Sequence, residues 1–152
     1  METPTMGRVV VAAQIENLSD LYEVRKGAIA QAAVRRIDVA DALVDTGATT
    51  LCLPPRLIAQ LGLNAGQVRR VRTAGGSKDF AMYDAVRLTV QGRDCTVDVA
   101  EVAEDCPVLI GQVPLELLDF VVDPKGQRLI GNPEHGGEQM FELYTILPPR
   151  NG

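Results

Sequence analysis

Asp45 is the acid that this sequence places where a side chain could do chemistry. It lies in the run Ala42-Leu43-Val44-Asp45-Thr46-Gly47-Ala48-Thr49-Thr50-Leu51-Cys52-Leu53-Pro54, with an apolar stretch on each side of a short polar turn. A carboxylate between two buried strands is costly to ionise unless its oxygens are hydrogen-bonded. Its neighbours meet that need, because Thr46 brings a hydroxyl donor and Gly47 lets backbone N–H groups come close. A carboxylate held in this way is a candidate for acid–base chemistry. Asp-Thr-Gly alone would suit any surface turn. Surface turns are not usually bracketed by Leu-Val on one side and Leu-Cys-Leu on the other.

The segments that must hold Asp45 are short, rich in β-branched residues and separated by Gly or Pro, which predicts a β-rich chain. Residues 8–15 read as a strand, 17–33 as a loop with at most one helical turn, and 34–44 as an extended segment running into Asp45. After Pro54-Pro55, residues 56–61 fit a short helix begun by Pro and stopped by Gly62, with Leu57, Ile58 and Leu61 on one face. Residues 68–73 and 80–90 form two arms of a hairpin tipped by Gly75 and Gly76. A turn at 91–94 precedes the alternating strand 95–102, in which Cys95, Val97 and Val99 oppose Thr96, Asp98 and Ala100. Leu109-Ile110-Gly111 then leads into a short helix over 114–120. Residues 121–130 form a second hairpin around Asp-Pro-Lys-Gly, 133–138 a polar loop, and 139–147 a closing strand. Strand, acid loop and short helix are thus faintly echoed by strand, Leu-Ile-Gly and short helix.

Asp45-Thr46-Gly47-Ala48 after an apolar strand resembles the catalytic loop of the retropepsin-like aspartic proteases, single-domain relatives of pepsin found in viruses and cells. Leu109-Ile110-Gly111 resembles the segment that packs beneath that loop in the family. The Gly75-Gly76 hairpin resembles the flap that closes over substrate. The likeness covers most of the chain, from residue 34 to residue 120, with weaker correspondence at both ends. It implies an all-β acid-protease barrel with one or two short helices, forming a single domain over 1–152 with its core at about 8–147.

The resemblance also implies a reaction. Peptide hydrolysis of this kind uses two carboxylates sharing one proton, one as general base on water and the other as donor to the scissile carbonyl. This chain has one Asp-Thr-Gly. Asp98 falls on the solvent side of its strand pattern, and Asp105 precedes Cys106-Pro107 in a turn. The second carboxylate is therefore expected from Asp45 of another copy, in a symmetric homodimer. By resemblance Thr46 bonds across the two-fold axis and the Gly47 N–H supports the carboxylates. Substrate is expected to be an extended peptide added as a strand, with apolar residues near the cleavage point because Phe80 and Met82 offer apolar pockets. The alternative is a catalytically silent dimerisation or peptide-binding module on the same fold.

Two departures stand out. Ala48, found in viral members, lacks the hydroxyl that pepsin-like enzymes place there, which predicts an activity optimum less acidic than theirs. Gly111-Gln112-Val113 lacks the Arg and acid or amide that follow the glycine in viral enzymes, so the dimer contacts must differ. The strands at 9–15 and 141–147 are the candidates for pairing between subunits.

Composition narrows the remaining classes. The chain has 152 residues, 46% hydrophobic and 23% charged, with a formal net charge of −5. The acidity argues against a nucleic-acid partner, and Arg69-Arg70-Val71-Arg72 alternates along a strand rather than forming a basic cluster. No apolar run has membrane-spanning length and the start lacks a signal-peptide pattern, so a cytoplasmic location is expected. Cys52, Cys95 and Cys106 read as free thiols. One histidine and no Cys-x-x-Cys argue against a metal site, and no cofactor is expected. Lys78 lacks the glycine spacing of a phosphate-binding loop.

Overall fold

The computed structural model describes residues 8–141. Its strands are β1 (Val10–Asn17), β2 (Arg36–Val44), β3 (Leu51–Leu53), β4 (Ala65–Thr73), β5 (Gly76–Val90), β6 (Arg93–Glu101), β7 (Leu109–Ile110), β8 (Phe120–Asp123) and β9 (Arg128–Gly131). The helices are α1 (Leu18–Arg25), α2 (Pro55–Leu61) and α3 (Gln112–Leu118). The expected all-β architecture with short helices is what the chain adopts. No helix among the described residues is long and apolar enough to cross a membrane.

Seven strands follow the order β1-β2-β7-β3-β6-β5-β4, and an extra β1–β5 pairing closes all but β4 into a ring. Closure leaves few exposed sheet edges and encloses one core. Ile15, Leu51, Leu53, Leu61, Leu88 and Ile110 are fully buried within it. In β6 the alternation places Cys95, Val97 and Val99 inside and Thr96 and Asp98 outside. Ala100, expected on the outer face, is buried as well, because it pairs with Cys52 of β3 on one side and Met82 of β5 on the other.

β5 does two jobs. Its first half pairs with β4 as a hairpin, and its second half pairs with β6 and β1 in the barrel. A register shift between Tyr83 and Val86 separates the two halves. Such a bulge bends a strand and increases its twist, which carries the hairpin away from the barrel wall.

The predicted helix at 56–61 forms with Pro55 in its first turn and with Gly62 in the left-handed conformation, φ 65°, ending it. The helix predicted over 114–120 starts earlier, at Gln112, and stops before Asp119, a left-handed residue with φ 58°. The hairpin expected over 121–130 is β8–β9.

Residues 17–33 correct the sequence expectation, since they hold a two-turn helix and a 3-10 turn at Gln31–Ala33 instead of a loop. The Asn17 side chain caps α1 by accepting from the Asp20 N–H at 3.0 Å, and its amide donates to the Leu61 carbonyl at 2.8 Å. Asp20 then accepts from the Arg35 backbone N–H and, two-pronged, from the Arg35 guanidinium. The weak amphipathic pattern hid this helix. Capping and one ion pair fix it, where an apolar face would normally do so.

The terminal strands meet different fates. β1 pairs with β2 along its length, and Gln14–Asn17 also pair with β5, so half of this candidate inter-subunit strand has no free edge. Of the expected closing strand, Gln139, Met140 and Phe141 are not in a strand, and 142–147 lie outside the described residues.

Candidate active site

β2 delivers Asp45. The Leu43 N–H donates to the Val108 carbonyl at 2.8 Å and the Asp45 N–H to the Ile110 carbonyl at 3.0 Å, continuing the parallel β2–β7 pairing. The chain then turns, with the Ala48 N–H donating to the Asp45 carbonyl at 3.0 Å. At the same turn the Gly47 N–H donates to Asp45 Oδ1 at 2.9 Å. The carboxylate is half-buried, and Thr46 beside it is exposed. A Cβ on Gly47 would lie 3.2 Å from Asp45 Oδ1, so glycine keeps that oxygen uncrowded.

The loop is locked from below. Carbonyls of Ala48, Thr49 and Thr50 accept from the backbone N–H groups of Gln112 (2.8 Å), Val113 (2.9 Å) and Gly111 (3.0 Å). α3 has no side-chain cap, so loop carbonyls satisfy amides that a helix start otherwise leaves unpaired. Crossing this close demands Gly111, since a Cβ there would lie 2.5 Å from the Thr50 oxygen and 2.6 Å from the Ala48 oxygen. The far side of the loop is tied to β6 by the Thr50 hydroxyl, which donates to the Asp98 carbonyl at 2.7 Å. The Asp45 loop is thus bonded through Asp45 to Ile110, and through Ala48 and Thr50 to Gln112 and Gly111.

Above the loop is a cleft of about 450 Å³. Gly47, Ala48 and Thr50 form one end, the β4–β5 hairpin contributes Val71, Phe80 and Met82, and α3 contributes Val113 and Leu117. The hairpin tip turns at Ala74-Gly75, with Thr73 opposite Gly76. Gly76 adopts φ 111°, which a side chain would resist.

Three features of the cleft escaped the sequence. Asp98 is exposed, as its alternation predicted, but the solvent it faces is the cleft. Arg69 and Arg72 also line it, although strand alternation places them on opposite faces of the hairpin, so alternation alone could not have grouped them. Cys52 lines the same space, and burial pushes its thiol up to about 11, followed by the nearby Cys106 and Asp45. Cys95 is raised to about 11 by burial first. All three cysteines are free thiols and disfavour the reactive thiolate.

A second polar cluster lies away from the cleft. Asp119 Oδ2 accepts from His135 Nδ1 at 2.6 Å and from the Met140 N–H at 2.9 Å, while Oδ1 accepts from the Asn132 amide at 3.2 Å. These bonds, His135 foremost, hold the Asp119 carboxyl below its usual range. Its partners are too far away in sequence for spacing to have shown it. Among the described residues no group of His, Cys, Asp or Glu could hold a metal ion.

A family model described as aspartyl protease matches residues 30–124, more than half of the chain. That span holds the Asp45 loop, the β4–β5 hairpin, Gly111 and α3. No curated protein matches the chain. The strands, the crossed loop and the family match agree, and the chain belongs to the aspartyl protease family, with its retropepsin-like fold.

Proposed function

We propose that the protein is an aspartic endopeptidase whose active site is completed by two copies of Asp45 in a homodimer. The observation that carries this reading is the support of Asp45, with a backbone N–H on one carboxylate oxygen and a loop locked over Gly111. A single half-buried carboxylate can serve as general base or as proton donor, but not as both at once. Two related by a two-fold axis can share one proton, since like charges so close do not both ionise. The ionised Asp45 takes a proton from water as the oxygen attacks the peptide carbonyl. The protonated one hydrogen-bonds the carbonyl oxygen as it gains charge. Collapse of the tetrahedral species transfers a proton to the leaving nitrogen and restores the shared-proton pair.

In this reading Thr46 meets the partner loop, the Gly75-Gly76 tip closes over an extended peptide, and Phe80 and Met82 receive apolar side chains. The test is Asp45→Asn in the full chain. Cleavage of a peptide library should fall to background with the dimer intact by size-exclusion chromatography. Inhibition of the parent by pepstatin supports the same conclusion. A parent that dimerises and binds peptide but cleaves none would overturn catalysis and leave a peptide-binding module.

A further inference from the structure

The hairpin over the cleft is basic although the chain as a whole carries a net charge of −5. Between 65 and 80 stand Arg69, Arg70, Arg72 and Lys78 against the single acid Asp79. The register places Arg69 and Val71 on one face of the hairpin and Arg70 and Arg72 on the other, because cross-strand partners share a side of the sheet and side chains alternate along a strand. Arg70 stands opposite Asp79 and pairs with it at 3.3 Å. Arg69 stands opposite Phe80, and both line the cleft together with Val71 and Arg72. Among the described residues no carboxylate lies within ion-pair distance of Arg69 or Arg72. Arg70, which does not line the cleft, is neutralised, whereas the two arginines that line it are not. Asp98 of β6 lines the same cleft.

We propose that this cleft selects extended peptides with a Glu or Asp side chain facing the hairpin, held by Arg69 and Arg72, beside apolar side chains. The inference rests on the reading of the cleft as a peptide groove. Guanidinium groups suit it because their fork of donors matches a carboxylate. Filling the cleft excludes water and strengthens attractions that solvent otherwise screens. Successive side chains of a strand point to opposite faces. An acid is therefore favoured only at the positions whose side chains reach Arg69 and Arg72.

The experiment measures binding rather than turnover, using the full-length Asp45→Asn chain and fluorescein-labelled peptides of one apolar sequence. Glu, Gln or Lys is placed at each position in turn. At one or more positions Glu should bind about fivefold more tightly than Gln, with Lys weaker still. This advantage should shrink as salt is raised. Combining Arg69→Gln with Arg72→Gln should bring the Glu-to-Gln ratio to about one, whereas Arg70→Gln, at a residue paired with Asp79 and not lining the cleft, should leave it intact. Equal binding of Glu and Gln peptides overturns the inference, as does a preference that survives the double substitution with circular dichroism unchanged. Absence of any peptide binding overturns it together with the groove. Selective binding alongside a parent chain that cleaves nothing would overturn only the endopeptidase reading.

Discussion

At the residue scale, two positions are constrained by groups distant in sequence. Gly111 does not have a backbone conformation that favours glycine, since its φ is −85°. What requires it is the approach of the Ala48 and Thr50 carbonyls. Gly111→Ala should therefore destabilise the chain by about 3 kcal/mol, the cost of overpacking against backbone that cannot swing aside. Urea midpoints of parent and variant check this, and an unchanged midpoint would show that the loop can lift. Asp119 is held by His135, Asn132 and the Met140 N–H, and its carboxyl lies below the usual range. A depressed folded-state value gives stability that is present above the unfolded value and lost as pH falls through the folded one. Asp119→Asn should thus be less stable than the parent near neutrality, with the gap narrowing below about pH 4. Denaturation curves at several pH values read it directly.

At the element scale, α1 shows how a helix forms without a strong apolar stripe. Asn17 accepts from the first turn and donates to the buried end of α2, and Asp20 clamps Arg35 at the entry to β2. Asn17→Ala should cost about 2 kcal/mol, combining a lost cap with an unpaired Leu61 carbonyl. Faster hydrogen exchange localised to residues 18–25 would accompany a loss at the cap, whereas a uniform change would place the cost elsewhere. α2 and α3 are alike in construction, as each follows a β-strand and ends at a left-handed residue, Gly62 or Asp119. Their strands also meet, since β3 pairs with β7, and the faint repeat in the sequence thus has a structural counterpart.

At the scale of the whole molecule, the barrel is closed by pairings between strands far apart in the chain. β1 with β5 and β2 with β7 are the longest-range of these. The proposed homodimer predicts that specific activity falls on dilution, in proportion to the loss of dimer measured by sedimentation. Activity independent of concentration well below the dissociation point would contradict the shared pair of Asp45 residues. The half-free edge of β1 and the exposed Val113 of α3 are surfaces on which substitutions should change that dissociation point.

The sequence by itself determined the local features. Alternating apolar residues marked β6, Pro and Gly bounded α2, and Asp-Thr-Gly between apolar strands identified the loop around Asp45. These signals were legible because neighbours within a few residues fix backbone conformation and the face that is buried. Tertiary structure alone decided why residue 111 is glycine, that Arg69 and Arg72 both line the cleft, and how Asp119 finds His135. Each depends on two segments meeting in space. Strand period states that side chains alternate, whereas only the packed barrel states what lies on each side.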